Sequence, residues 1–364
     1  MGDDVGPVFV LGGQRTGTTL LRLMLDAHPQ LAIGPESGFL RAVKDTVTIR
    51  DFQAGEGWFE RFGVSRDWLT TRLAGLYDEL FSTHAAAQGK PYWGEKTPMH
   101  TWHVDLAREL YPQARFVGVV RHPAAVATSA TRWGHELGFA AAAWAEGVHR
   151  QLRDRDAHGA DVILLLRYED LLADAEATMR DVLAHVGLPW SDAVLRHHEI
   201  HAQRDGGGAD GETDGGTRPA DPIDRERADA WRTTIDPDDL GAIMAATQPW
   251  AGLLGYGPDG TAPTADAMAL RPGALAAAGY PPAPTTSRQQ AEHGWQQRLH
   301  HQIDDLKADA ATLRSELASL QRERDAALGQ ARDAARREAD AVANYDALNN
   351  RRFVRIGRRL LDRN

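Results

Sequence analysis

The sequence contains no cysteine among its 364 residues, so disulfides and thiolate metal sites are excluded, which fits a reducing compartment. No apolar run is long enough to span a bilayer, and the opening "MGDDVGPVFV" has acidic residues where a secretory leader has basic ones. Gly2 is followed by "DDVG", which lacks the hydroxyl of a myristoylation signal. Positive charge is also in deficit: 41 Lys and Arg stand against 51 Asp and Glu, a net charge of −10. Bulk charge therefore gives no reason to expect nucleic acid, and an anion site must be a local concentration of Arg and Lys. The expectation is a cytoplasmic protein. One further absence is local. "FVLGGQRTGTTLLRLMLDAHP", residues 9–29, has the strand, glycine turn, hydroxyls and amphipathic helix of a phosphate-binding loop, yet Thr18 stands where such a loop carries its lysine.

Within residues 1–257, short apolar runs alternate with helical stretches. "PVFVLGG" (7–13), "RFVGVV" (115–120) and "DVILLLRY" (161–168) read as buried strands, each followed by a helix. Continuous apolar strands alternating with helices predict an α/β fold: a central, mainly parallel sheet covered on both faces, P-loop-like and three-layered. Ligands in such folds sit at the carboxyl ends of the strands, where the polar clusters of this chain fall. "RDGGGADGETDGGTRP" (204–219) reads as a mobile loop. Residues 258–286 are rich in Pro, Ala and Gly and read as a linker.

Residues 287–350 carry a heptad seam through Ile303, Leu306, Ala310, Leu313, Leu317, Leu320, Arg324, Ala327, Ala331 and Ala334. This predicts a marginal coiled coil and a homo-oligomer, with a single solvated helix as the alternative. The last segment, 351–364, has six arginines and one aspartate, with Phe353, Ile356 and Leu360 along one side. It suits the inner face of an anionic membrane; a solvated tail capping the coiled coil is the alternative.

In "GGQRTGTT", Gly12, Gly13 and Gly17 permit tight turning, and Thr18 and Thr19 open a helix whose free amides and positive dipole end face the turn. Arg15 adds a planar fork for anions. A nucleoside triphosphatase would need the lysine and an acidic residue ending a neighbouring strand to hold Mg²⁺; here "RFVGVV" ends in Arg121. The arrangement predicts group transfer without a metal, with Arg and Lys neutralising the developing charge. Lys96 and Thr97 in "WGEKTPMH", and Arg121 with Ser129 in "RHPAAVATS", supply two further anion contacts and imply a nucleotide with two separated anionic groups.

These motifs resemble the sulfotransferases that use 3′-phosphoadenosine 5′-phosphosulfate (PAPS). "RTGTTLLRLMLDAHP", followed by "GPESGFL", most resembles the protein-tyrosine sulfotransferase branch and its bacterial relatives. "EKTP", "RHPAAVATS" and "LRYEDL" extend the resemblance across residues 8–257. It implies that Arg15, Thr16, Gly17, Thr18 and Thr19 hold the 5′-phosphosulfate and that Arg121 and Ser129 hold the 3′-phosphate. It further implies that Tyr168 contacts the nucleotide, that Arg218 and Trp231 belong to a late segment closing over it, and that Lys96 stabilises the leaving phosphate. Glu36 stands at the place of the catalytic base. For the place of a further arginine of that branch there are two candidates, Arg132 and Trp133.

Chemistry supports Glu36 independently. An acceptor hydroxyl is a poor nucleophile at neutral pH and needs a base within reach. "LAIGPES" reads as a short strand leading to a turn, which puts Glu36 at a sheet end; the alternative is that Glu36 or Ser37 merely starts a helix. His28 is the rival base, or caps the preceding helix. "HHEIH" (197–201) has His spaced three apart, not the four of a zinc-protease helix, so no metal is expected. Trp58, Trp68 and Tyr77 line an acceptor cleft or belong to the core. The C-terminal architecture favours a sugar hydroxyl of a glycan or glycolipid as acceptor. Alternatives are tyrosine in a peptide, a kinase-like phosphotransferase, and a non-catalytic scaffold.

Overall fold

A computed structural model describes residues 5–48, 58–132, 134–204 and 221–257, and, towards the C-terminus, 318–319, 321–322, 324, 326–348, 351 and 355. The predicted linker, the predicted mobile loop beyond Arg204 with Arg218, Trp133, most of the heptad seam and most of the final basic segment lie outside the described residues.

The uninterrupted apolar run "VFVLG" forms β1 (Val8–Gly12), every residue of which is buried. Its alternate side chains serve opposite faces: Phe9 and Leu11 join one core, Val8 and Val10 the other. After β1 come α1 (Thr18–Asp26), β2 (Leu31–Ile33), α2 (Phe39–Val47) and α3 (Arg66–Ala87). Then follow β3 (Tyr92–Lys96), a 3₁₀ turn (Pro98–Trp102), α4 (Val104–Leu110), β4 (Arg115–Val120), α5 (Pro123–Thr131) and α6 (Leu137–His158). β5 (Ile163–Arg167), α7 (Tyr168–Ala173), α8 (Ala175–Val186) and α9 (His197–Arg204) precede α10 (Pro237–Thr247) and α11 (Trp250–Leu253).

The five strands pair in the order β2-β3-β1-β4-β5, all parallel. One face packs on α1, α7 and α8 through Leu21, Met24, Leu171, Met179 and Leu183. The other packs on α2, α4 and α6 through Phe39, Val43, Ala107, Trp144 and Val148. Burial of each large side chain stabilises by roughly 1.5–3 kcal/mol. These are the three layers expected. β3 is a strand that apolar patterning does not mark, and Lys96 leads through Thr97 into the 3₁₀ turn.

The chain divides into two units, Met1–Arg288 and Gln289–Asn364. In the second, residues 326–348 are helical, and Leu328, Val342, Tyr345 and Leu348 are exposed.

Polar side chains are also buried in the first unit. His28 and His197 are fully enclosed. Burial, with His198 and His201 nearby, pushes the His197 imidazole down from 6.5 to about 4. A depressed imidazole leaves the unfolded chain binding the extra proton between these two values, so stability falls as pH drops from 6.5 towards 4. That shift corresponds to roughly 3 kcal/mol. Denaturant unfolding should therefore show the stability gap between wild type and His197→Gln narrowing by about that amount across the window, and staying constant above neutral pH.

Candidate active site

β1 sits beside the point where strand order reverses, so the loop after it opens at the carboxyl edge of the sheet. Gly12 takes φ 152°, and a Cβ there would lie 2.7 Å from Thr16 Oγ1. Arg15 is the one non-glycine described residue with positive φ, at 69°, a left-handed conformation that costs about 1–2 kcal/mol. Gly17, φ 102°, is the N-cap of α1; no side chain caps the helix and no acidic residue occupies its first turn. The first amides of α1 thus remain available to an anion. Thr16 Oγ1 donates to the Gly13 carbonyl at 2.7 Å, closing the turn. Thr101, which sequence reasoning did not single out, holds the loop's base: its hydroxyl accepts from Gly12 N–H at 2.9 Å and donates to Gly12 O at 3.2 Å.

The cations read from sequence as two separate anion sites meet in space. Arg15 Nε donates to Ser129 Oγ at 3.0 Å. Arg121 donates to the carbonyls of Arg15 at 3.2 Å and Arg227 at 2.7 Å, and its guanidinium lies 4.5 Å from the centre of the Tyr168 ring. Tyr168 is buried against the loop itself, so its first role is to support Gly17 from below. Arg227 was not anticipated; it sits in a 3₁₀ turn with Asp221 and Asp224 as ion-pair partners. Arg132 is exposed at the end of α5. Trp231 is buried and stacks on His122 with ring centres 4.5 Å apart.

The second half of the site lies at the ends of β2 and β3. The turn after β2 carries Glu36, and Lys96 Nζ donates to its Oε1 in a direct ion pair. The Lys96 side chain is 1% exposed and that of Glu36 28%, so the carboxylate faces outward and the ammonium lies beneath it. Arg22, on α1, reaches the same turn through the Gly34 carbonyl at 3.4 Å. Ser37 does not simply start a helix: Gly38 is the N-cap of α2, while the Ser37 hydroxyl donates to Glu95 at 2.8 Å. His28 is no rival base. Its Nδ1 accepts from Gln30 N–H at 3.1 Å, its Nε2 donates to Pro189 O at 2.9 Å, and burial depresses its basicity.

Of the aromatic side chains considered for an acceptor cleft, Tyr77 packs on Phe39 at 4.7 Å and belongs to the core. Trp68 is 48% exposed, with Arg72 over its ring. In "HHEIH", His201 bonds the Leu23 carbonyl at 3.0 Å, tying α9 to α1.

The donor set fits a nucleotide carrying phosphate and sulfonate groups: three cations, a ring of hydroxyls and free helix amides, with Glu36 and Glu95 already held by protein donors.

Comparison with known proteins gives the same direction. A family described as "Sulfotransferase family" matches residues 7–192. A protein-tyrosine sulfotransferase of Drosophila melanogaster is 27% identical over 281 residues, covering 69% of this chain and 52% of the relative. The chain thus spans about half the length of that protein. Protein-tyrosine sulfotransferase 1 of Danio rerio is 27% identical over 273 residues, covering 71% of this chain and 75% of the relative. Among solved structures, the sulfotransferase domain of a Synechococcus olefin synthase shares the fold, with TM-score 0.51 and 24% identity over 70% of this chain and 97% of that one.

The Gly17–Tyr168 contact makes a specific demand. A Cβ on Gly17 would meet Tyr168 Cδ2 at 2.2 Å, and φ 102° is itself unfavourable for alanine. Gly17→Ala should cost about 2–4 kcal/mol, combining overpacking with backbone strain. In a Tyr168→Ala background the added cost should fall to about 1–2 kcal/mol, because only the strain remains, as read from urea midpoints.

Proposed function

This chain belongs to the sulfotransferase family, and on that premise we propose that it transfers the sulfuryl group of PAPS to an acceptor hydroxyl. The observation that carries this reading is the Glu36–Lys96 ion pair at the sheet edge beside a lysine-free loop. Glu36 Oε takes the acceptor proton as the acceptor oxygen attacks sulfur. The bond from sulfur to the bridging oxygen breaks, and negative charge collects on the departing 5′-phosphate. Lys96, Arg15 and the free amides of α1 meet that charge, while Arg121 and Ser129 hold the far end of the nucleotide. Thr16, Thr18 and Thr19 line the cradle.

For the acceptor, the relatives named protein-tyrosine sulfotransferase support a tyrosine in a peptide or protein over the sugar hydroxyl suggested by the C-terminal region. Chemistry agrees. A phenol ionises near pH 10, far below an aliphatic hydroxyl, so a carboxylate base faces a smaller mismatch. The kinase-like alternative loses ground because the carboxylates nearest the loop are engaged by Lys96, Ser37 and Thr97.

Two measurements test the reading. Labelled sulfate should pass from PAPS to tyrosine peptides in the presence of EDTA; Mg²⁺-dependent phosphate transfer from ATP instead would overturn the proposal. Glu36→Gln should lower kcat by roughly 10²–10⁴ while the melting-temperature rise caused by adenosine 3′,5′-bisphosphate persists.

A further inference from the structure

Glu95 and Lys96 are consecutive residues at the end of β3, so their side chains leave opposite sides of the strand. Both reach the same turn. Lys96 grips Glu36, and Glu95 grips the next residue. Glu95 is 2% exposed, and its Oε1 accepts from Ser37 N–H at 3.1 Å, Ser37 Oγ at 2.8 Å and Thr97 Oγ1 at 2.6 Å. Thr97 Oγ1 in turn accepts from Gly38 N–H at 3.2 Å. The other carboxylate oxygen meets His100 Nδ1. The buried His100 ring is fixed by Leu40 N–H, which donates to its Nε2 at 3.4 Å, and by Phe39, whose ring stands edge-on at 5.2 Å. The Nε2 contact puts the ring proton on Nδ1, the nitrogen in contact with Glu95.

A buried carboxylate is costly, and this one stays ionised. Burial pushes the Glu95 carboxyl up, but His100, Thr97 and Ser37 outweigh it and hold it below the usual range. Charge-assisted bonds of this kind are stronger and more directional than neutral ones. Four residues after the base, 37 to 40, are therefore tied to one carboxylate–imidazole pair, Ser37 and Leu40 directly, Gly38 through Thr97 and Phe39 through Ser37. A stability role alone would be met more cheaply by apolar packing.

We infer that Glu95 and His100 are positioning residues for sulfuryl transfer: they clamp the 36–40 turn so that the Glu36 carboxylate is held at the acceptor oxygen. The inference rests on Glu36 acting as the base. Neither residue touches the donor loop, so the effect falls on turnover rather than on nucleotide binding.

The experiment uses the full chain, PAPS and the tyrosine peptide acceptor, with Glu36→Gln, Glu95→Gln, Ser37→Ala and the Glu36→Gln/Glu95→Gln pair. Glu95→Gln should lower kcat roughly 10–100-fold, the scale of a misplaced catalytic group, with donor KM and adenosine 3′,5′-bisphosphate affinity within about twofold of wild type. Ser37→Ala, at an exposed position that tolerates truncation, should give a smaller loss of the same kind and carries the test if Glu95→Gln does not fold. The decisive readout is the double variant. A residue that acts through Glu36 adds no further loss once Glu36→Gln is in place. Multiplying losses, an unimpaired Glu95→Gln and Ser37→Ala, or a loss confined to donor KM would each overturn the inference. Wild-type turnover in Glu36→Gln alone overturns the base assignment and the inference with it; a large loss there beside an unimpaired Glu95→Gln overturns the inference only.

Discussion

The site depends on one constraint, the in-register parallel pairing of β1 with β3 and β4. Val10 lies opposite Lys96, and Gly12 opposite Val119. Parallel neighbours end at the same edge, so whatever follows each strand is delivered to one place. Gly12 thereby meets Thr101 across 89 residues of sequence, and Arg15 meets Arg121 across 106. No local property of these segments would hold them together. The hydrogen-bonded register does, and the alternation of β1 side chains between the two cores fixes which face each residue serves.

Sequence patterning is most informative where burial is uniform. β1, β4 and β5 are near-continuous apolar runs, and their positions and the helices after them follow from that. β3 is "YWGEK": it carries a glycine and ends in two buried charges, so no hydrophobic period marks it. Its charges are tolerated because each has a partner from a distant turn, which is information about tertiary contact. The same limit explains the anion site. Arg15, Arg121 and Ser129 are recognisable as anion ligands by residue type, but spacing along the chain does not show that Arg15 reaches Ser129 or that Arg121 reaches the Arg15 carbonyl. Thr101 and Arg227 carried no signal. Glu95 and His100 did: both lie within "EKTPMH", on either side of Lys96 and Thr97, the two residues of that motif read as anion contacts.

"LRYEDL" looks like a weak motif and proves to be the brace under the loop. Arg167, 1% exposed, pairs with Asp170 through two bonds of 2.8 Å. Tyr168 fills the space that Gly17 leaves. Glu169 is pushed up by burial, and its two oxygens accept from His122 N–H at 2.8 Å and Tyr256 OH at 2.9 Å. Tyr168 and Glu169 therefore tie the loop, the start of α5 and Tyr256 to the end of β5, while Arg167 ties β5 to α7. Their residue types are dictated by what each must satisfy: a charge with a charge, a ring with a glycine, a carboxyl with donors.

Lys96 makes the argument for function most directly. Taking an ammonium out of water costs several kcal/mol even after relaxation, and replacing a buried ion pair by well-packed apolar residues is often neutral or stabilising by about 1–4 kcal/mol. Folding alone thus gives no reason to keep a 1% exposed lysine at the end of a core strand. The reason lies in what it faces. Lys96, the last residue of β3, is paired with Val10 of β1 and lies beneath a partly exposed carboxylate, where its position is fixed before any reaction begins. A cation held in place within a low-dielectric wall stabilises negative charge that appears during bond cleavage without having to reorganise. On the proposed transfer, the cost of burying it is incurred on folding, and the gain appears in the transition state.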